Sequence, residues 1–381
     1  MTTTFKLALT ATLAAAFAAG VSAKVQTWGD EKFRPRLFKQ FGDVVNLPDG
    51  LTQDKVGNIY MSAPNLIDKS YAGVVMKRCF KTGKWSVFAA GAISPKTGRG
   101  CPMGIEYGPD GNIYYCDNQY FLSKDYASRI MRIVVDPKTK EALRIETVVE
   151  NIKLANAIRF FEGDLFFTDT YFDLDRKDGV GLGGVYRVPM SDCRTKKVSL
   201  MAKPDYKKDP YFVCCTETVA LPGRSGDNSG ADGLAITDRG DLYFGTFGSG
   251  RFYTAKRQGD GSYAPAKLIF EDPARFPCCD GICFDPVKNR ILMTDSAINA
   301  VHTWDIAKEK AGVGAMAFGE LWKNADTDGA DGLLDQPCEP LIWKDAKGKR
   351  QLVIVNFDMA FPGLINTVND SIHTLSVIDL D

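Results

Sequence analysis

Six segments of the sequence share one pattern, and most of them begin with a side chain that could bind or react. Each runs from a small or acidic residue through an alternating apolar stretch and a Gly, Asp or Asn turn to a second stretch rich in Tyr, Phe and Ile. The six first residues are three aspartates, a glutamate, an amide and a thioether: Asp49, Met103, Asn156, Asp232, Asp280 and Glu339. Carboxylates brought together repel one another unless a cation neutralises them. Oxygen ligands suit a hard ion, calcium before magnesium or manganese. The alternative is that the Asp-Gly pairs only open turns, copied by the repeat without function.

The elements that must position these residues are hairpins. Each segment predicts two strands joined by a tight polar turn, and a third strand follows each hairpin. A fourth strand is predicted in five units, in the third unit at residues 196–203, while a strand at 33–41 has no hairpin of its own. Spacings of 54, 53, 76, 48 and 59 residues between the first residues leave room for four strands and a loop. We therefore predict an all-β, six-bladed β-propeller of four-stranded blades, its last blade closed by the N-terminal strand. Two β-sandwiches or a seven-bladed ring are the alternatives.

In such a blade the first strand lines the central shaft, so the six first residues point into a common mouth. The longest loops, among them 324–338 and 357–371, lie on the same face, where sites are usually built. The substrate-mouth candidates on this face are Met103, Asn118, Asp169, Asp295 and Asn356. Capping of the loops between second and third strands is the alternative role for the last four and for Asp117. Of the two histidines, His302 is expected to be structural, and His373 could act as a base nearer the mouth.

The hairpins ANAIRF–FEGDLFFTD and ADGLAITDRGDLYFG resemble motifs of the senescence marker protein/gluconolactonase (regucalcin-like) family. Its wider clan includes strictosidine synthase-like proteins and paraoxonases. The resemblance implies that Asn156 and Asp232 are metal ligands, with Asp232 also the acid/base, and that Asp49 takes the place of a family glutamate. Met103 departs from the family, which often has an asparagine there. Asp280 and Glu339 are additional acids that could replace that ligand or act as base.

Ten cysteines are present, and seven are predicted on the functional face: Cys101, Cys116, Cys214, Cys215, Cys278, Cys279 and Cys338. Disulfides that staple long loops are the expected use in an oxidising compartment. The adjacent pairs 214–215 and 278–279 could also form vicinal disulfides. A thiol ring that binds zinc or copper(I) is the alternative, although no zinc-type C-x-x-C spacing occurs.

The N-terminal segment and the net charge limit the compartment and the classes of partner that we expect. Residues 1–23 combine Lys6, an apolar run and the triplet Val21-Ser22-Ala23, which predicts a secretory signal and a mature domain of residues 24–381. We expect an exported, periplasmic monomer that no longer contacts a membrane. With 47 basic and 47 acidic residues there is no global field to bind nucleic acid.

We therefore expect a divalent-metal-dependent hydrolase of a lactone or other ester, with calcium as the cation and zinc or manganese as alternatives. The expected catalytic residues are Asp232, Glu339 and Asp280, and the expected metal ligands are Asp49, Asn156 and Asp232. A Ser–His–Asp triad has no support, because no Gly-x-Ser-x-Gly motif occurs. Two alternatives remain: a non-enzymatic periplasmic binder that uses the cysteine-rich mouth, and a strictosidine synthase-like lyase with Glu339 as acid/base.

Overall fold

The computed structural model describes residues 24–172, 179–219, 221, 223, 229–310 and 316–381. The expected signal segment, 1–23, lies outside these residues. The N-terminal part contains β1 (Thr27–Gly29), a 3-10 turn (Glu31–Phe33) and β2 (Arg36–Phe41). In the described parts of the chain, no helix is both long and apolar enough to cross a membrane.

The strands form six sheets arranged as blades. Blades one and two contain, in chain order, β3 (Leu51–Gln53), β4 (Ile59–Ala63), β5 (Val74–Arg78), β6 (Trp85–Ala90), β7 (Pro102–Tyr107), β8 (Ile113–Asp117), β9 (Ser128–Val135) and β10 (Ala142–Ile152). Blade three contains β11 (Ala155–Phe161), β12 (Asp164–Asp169) and β13 (Val180–Pro189). After α1 (Met190–Thr195), β14 (Val198–Ser199) and a 3-10 turn (Lys203–Lys208), it is completed by β15 (Phe212–Val219).

The remaining blades follow the same order. Blade four contains β16 (Ala231–Ile236), β17 (Leu242–Thr246), β18 (Phe252–Ala255) and β19 (Lys267–Phe270). Blade five contains β20 (Ile282–Asp285), β21 (Arg290–Asp295), β22 (Ala300–Asp305) and, after α2 (Ile306–Lys310), β23 (Phe318–Asn324). Blade six contains β24 (Pro337–Lys344), β25 (Arg350–Asn356) and β26 (His373–Asp379).

The six-bladed propeller prediction is confirmed, including its closure. β2 pairs antiparallel with β26, so the N-terminal strand supplies the fourth strand of the last blade. Phe41 packs on Trp85 of blade one and Phe38 packs on Trp343 of blade six, with ring centroids 5.1 and 5.8 Å apart. The inner strand of each blade contacts the inner strand of the next, and β24 contacts β3. The ring is therefore closed both within the last blade and around the shaft.

Apolar residues fill the space between blades. β4, β8 and β17 are buried at every position, because both faces of each sheet pack on a neighbouring blade. This explains why the second stretch of each repeat is apolar at consecutive rather than alternate positions.

One predicted strand differs from the structure, and one observed strand was not predicted. Residues 196–203 are not the fourth strand of blade three: only Val198–Ser199 is extended, and it pairs parallel with β10 of blade two. The fourth strand of blade three is β15, which pairs with β13. Phe212 of β15 packs against Tyr186 and Tyr206, with ring centroids 5.9 and 5.0 Å apart, and these buried rings hold the later segment in the blade. The second difference is an extra strand, β1, which extends blade five beside β23.

Candidate functional site

Five of the six predicted mouth residues line one pocket. Asp49, Met103, Asn156, Asp232 and Asp280 border a cavity with an empty volume of about 570 Å³ at the shaft opening. The three aspartates are each less than a tenth exposed. A pocket lined by several converging polar side chains is where small ligands usually bind.

Glycines explain why these residues come so close together. A Cβ at Gly104 would lie 1.9 Å from the carbonyl oxygen of Asn156, and one at Gly233 would lie 2.1 Å from that of Asp280. The residue after the mouth position must therefore be very small where the inner strands crowd the axis. The Asp-Gly pairs thus serve close packing of strands, and the aspartate side chains are left facing the mouth.

The sixth mouth residue is Cys338 and not Glu339. A hydroxyl on a second strand donates to the backbone carbonyl of the next blade's mouth residue: Ser62 to Met103 and Thr168 to Asp232. Thr294 donates in the same way to Cys338. The prediction was one residue out of register, and in a strand a shift of one residue turns the side chain to the opposite face. Cys338 lines the cavity, and Glu339 is not among the residues that do.

Glu339 lies deeper in the shaft, in a buried ion-pair network. Arg159 of blade three pairs with Glu339, and its Nη1 lies 3.4 Å from Glu106 of blade two. Its Nη2 also donates to the carbonyl oxygen of Ile282, at 3.0 Å. Burial raises the pKa of Glu106 and of Glu339 to about 7, although Arg159 opposes the shift. This network ties four blades together below the mouth.

Negative charge is concentrated in the mouth itself. Burial, followed by the charges of Asp280 and Glu339, raises the pKa of Asp49 well above its usual value. The Cys338 thiol donates to Asp280 Oδ1 at 3.1 Å, and the Ser296 hydroxyl donates to Asp280 Oδ2 at 2.5 Å. Burial and the carboxylates of Asp280 and Asp49 raise the pKa of Cys338. Buried carboxylates that destabilise one another's charged forms fit a cation, and their oxygens with that of Asn156 suit a hard one.

The remaining mouth candidates divide into two groups. Asn118 lines the cavity with Met103. The others cap the loop that enters their own blade's first strand: Asp169 accepts from the backbone N–H of Leu154 at 2.8 Å, and Asn356 from that of Asp335 at 3.1 Å. Asp117 accepts from Cys101 at 2.7 Å and Asp295 from Cys278 at 3.4 Å in the same way. These four residues therefore cap loops, although the loops are those that enter first strands and not the expected ones between second and third strands.

The two histidines lie in the sheets of blades five and six. His302 is fully buried and packs on Phe276 and Phe318, with ring centroids 5.4 and 4.9 Å away. His373 Nδ1 lies 3.0 Å from Asp358 Oδ2, in a group of acidic residues outside the mouth cavity.

Aromatic side chains, which sequence reasoning missed, form the outer wall of the cavity. They come from loops of blades two, four and six: Tyr120, Phe121, Phe247, Phe357 and Phe361. Phe361 is central, with ring centroids 6.3 Å from Phe121, 6.5 Å from Phe247 and 6.5 Å from Phe357. The signal in the sequence was the presence of these aromatic residues in long loops that carry no strand. We call these five residues the aromatic wall.

The cysteines do not form the expected disulfides. All ten lie in the described residues and all are free thiols, including the adjacent pairs 214–215 and 278–279. Cys214 and Cys215 belong to β15 and not to a loop. Of the seven cysteines predicted on the functional face, only Cys338 lines the cavity, so no thiol ring surrounds the mouth.

No family model matches the chain, and no curated protein matches it. Solved structures match over nearly the whole length. A calcium-binding regucalcin from Agrobacterium tumefaciens aligns with a TM-score of 0.52 and 13% identity, covering 91% of this chain and 94% of that one. A gluconolactonase from Xanthomonas campestris gives 0.50 and 13%, covering 93% and 98%. The PQQ-bound aldose sugar dehydrogenase of Streptomyces coelicolor gives 0.54 and 15%, covering 92% and 99%. At such identities the likeness shows the fold alone, and these proteins differ in activity.

Proposed function

We propose that this propeller is a divalent-metal-dependent hydrolase of a lactone or other ester, with calcium as the cation. The observation that carries the proposal is that Asp49, Asn156, Asp232 and Asp280 line one cavity at the shaft opening, where the three aspartates are buried. The gluconolactonase and the calcium-binding regucalcin of the same fold support it. We also propose distant membership of the regucalcin-like family and export to the periplasm.

In this mechanism Asp49, Asn156 and Asp232 would hold the cation. When bound, the cation supplies an electrophile that polarises the ester carbonyl. Asp232 takes a proton from the attacking water. Both carboxylate oxygens of Asp280 accept hydrogen bonds, from Cys338 and Ser296, so we assign it no proton transfer. Its part is to add negative charge beside the ligands and to keep Cys338 in place.

The aromatic wall favours a substrate that is partly apolar. Three phenylalanines around Phe361 offer ring faces and edges, where a sugar lactone would need hydrogen-bond partners for its hydroxyl groups. Met103 occupies a mouth position with a side chain that forms no strong hydrogen bond. We therefore assign esters or lactones with an alkyl or aromatic part as the substrate class.

The test is hydrolysis of p-nitrophenyl esters and alkyl lactones by the wild-type chain and Asp232→Asn. We expect turnover that a chelator abolishes and calcium restores, and a loss of about 10²- to 10⁴-fold in kcat for Asp232→Asn. Asp238→Asn is the matched control, since this exposed aspartate lies in the hairpin turn at the other end of the same strand. The proposal is wrong if the chelator leaves the rate of hydrolysis unchanged, or if Asp232→Asn hydrolyses the substrates as fast as the wild type.

The second candidate function is a periplasmic binder of a soft metal ion, and Cys338 is the observation that favours it. Its thiol borders the cavity beside the mouth carboxylates, as the Met103 thioether does, and zinc or copper(I) accepts a thiolate ligand. The lyase alternative is weaker, because its acid/base would be Glu339, which pairs with Arg159 below the mouth.

A further inference from the structure

A second group of carboxylates lies in two loops beside the mouth. Asp335 is in the loop between β23 and β24, and Asp358 and Asp370 are in the loop between β25 and β26. One ligand atom from each of these three lies within 4.8 Å of those of the other two. Asp335 and Asp358 are each 1% exposed, and Asp370 is partly buried. None of the three lines the mouth cavity. We call these three residues the loop cluster.

The charge of the loop cluster is poorly balanced. Asp326 and Asp328 add two more carboxylates close enough to act on Asp335. Within the described residues, no lysine or arginine forms an ion pair with any of the five, and His373 is the one basic side chain paired there. Burial and the neighbouring aspartates raise the pKa of Asp335 to about 9. Such a group of buried carboxylates takes up either protons or a cation.

An amide oxygen gives independent evidence for a ligand. Asn366, 1% exposed, donates through Nδ2 to Asp335 Oδ1. Within the described residues, Asn366 Oδ1 is buried without a hydrogen-bond partner, and so is Asp335 Oδ2. The two polar atoms of an amide are bonded to one carbon, so Oδ1 lies at the loop cluster too. Buried oxygens are rarely left without a partner, and a bound ion is one of the few explanations.

We propose that Asp335, Asp358, Asp370 and Asn366 bind a calcium ion at a site separate from the mouth. Three carboxylates and an amide oxygen are hard ligands, and irregular loops can supply the further oxygens that calcium accepts in a coordination shell of six to eight. Magnesium fits less well, since it demands a near-ideal octahedron.

A cation bound at the loop cluster would stabilise the loop that carries part of the aromatic wall. Phe357 and Phe361 lie in the same loop as Asp358, Asn366 and Asp370, and both line the mouth cavity. Binding ties this loop to Asp335, which comes from the preceding blade connection. The calcium at the loop cluster therefore fixes the wall of the pocket without touching the substrate.

The first experiment counts bound calcium by elemental analysis after equilibrium dialysis of purified wild-type and variant chains. We expect two ions per wild-type chain, one in Asp335→Asn, one in Asp370→Asn and none in Asp232→Asn/Asp335→Asn. Asp331→Asn is the matched control and keeps both ions. Asp331 is exposed in the same loop, and an asparagine can still accept the hydrogen bond from the Leu333 backbone N–H.

The outcomes separate this site from the proposed hydrolase site. A single ion lost in Asp335→Asn but kept in Asp232→Asn supports the loop cluster and counts against the mouth. An ion count unchanged in both Asp335→Asn and Asp370→Asn overturns the loop site, whatever happens to hydrolysis.

A second measurement covers the case in which Asp335→Asn does not fold. Asp370 is partly buried, and its backbone N–H donates to Asp358 Oδ1, so Asp370→Asn keeps this internal hydrogen bond of the loop. In wild type, calcium should slow hydrogen exchange of residues 357–372 at least about tenfold, as ligand binding opposes local opening. Asp370→Asn should lose that protection and Asp232→Asn should retain it. Exchange in this segment that is indifferent to calcium in the wild-type chain would also overturn the proposal.

Discussion

Cys338 brings a thiol into contact with two mouth carboxylates, 3.1 Å from Asp280 Oδ1 and 3.9 Å from Asp49 Oδ2. Its raised pKa means that the thiol stays protonated and acts as a hydrogen-bond donor to Asp280. A hard cation gains nothing from sulfur, whereas a soft cation gains a ligand when the thiol deprotonates. This one side chain therefore separates the two candidate functions of the mouth.

Cys338→Ser should keep calcium binding within about threefold, since a hydroxyl can make the same hydrogen bond. It should weaken zinc or copper(I) binding at least about tenfold, because the soft ligand is lost. Isothermal titration with each metal measures both effects, and Cys79→Ser, in a turn remote from the mouth, is the control. If calcium binding collapses with the thiol, the oxygen-ligand model of the mouth is wrong.

At this scale the sequence located the mouth but not its sixth member. Asp49, Met103, Asp232 and Asp280 could be aligned because a glycine follows each of them. Blade six breaks that pattern, since Glu339 stands where the others have a small residue. The hydrogen bond from Thr294 to the Cys338 carbonyl shows its register, and this pairing between blades is not visible in one sequence.

Among the structural elements, the loop between β25 and β26 contributes both to the mouth cavity and to the loop cluster. Its Phe357 and Phe361 form part of the aromatic wall, and its Asp358 and Asp370 belong to the loop cluster. A loop is easily mistaken for a plain connection when its sequence has no periodicity. The same reason hid β15, since Cys214 and Cys215 suggested a stapled loop while residues 196–203 offered the alternation of a strand.

Phe361→Ala tests the role of this loop in substrate choice. The ring packs against Phe121, Phe247 and Phe357, so its removal opens the apolar side of the cavity. We expect kcat/KM for p-nitrophenyl octanoate to fall about 10- to 100-fold, in line with lost apolar contacts. The acetate ester should change less than about threefold, since it is too short to reach the wall, and it serves as the internal control. Equal losses for both esters would mean that Phe361 supports the fold and not the acyl group.

At the scale of the whole molecule, the sequence specified the ring more completely than the site. Three features of the sequence together predict a closed ring: repeated hairpins, a last unit with only three strands, and an extra strand at the N-terminus. Closure pairs the extra strand with the last unit, so that no blade is left incomplete. The network of Glu106, Arg159 and Glu339 could not be foreseen, since its members come from three blades and meet only at the axis.

That network sets an expected pH dependence of stability. Glu106 and Glu339 have a folded-state pKa of about 7, against 4.5 for an unburied glutamate. Between pH 4.5 and 7 the folded chain therefore holds more protons than the unfolded chain, and the free energy of unfolding falls as pH rises. Each carboxyl contributes at most about 1.4 kcal/mol per pH unit, and Arg159 shared between them makes the sum smaller. Surface aspartates such as Asp136 and Asp260, whose pKa is lowered, act in the opposite direction but only below pH 4.

Urea unfolding at pH 5 and pH 7.5, in chelator so that no cation contributes, measures this effect. Wild type should be less stable at pH 7.5, and Glu106→Gln should lose part of the difference while Glu339 still pairs with Arg159. Asp335 and Asp49, whose pKa values are also raised, change stability in the same direction, so Asp335→Asn and Asp49→Asn are measured alongside to separate their shares. A chain that gains stability from pH 5 to 7.5 would show that Arg159 outweighs burial and keeps both shaft carboxylates ionised.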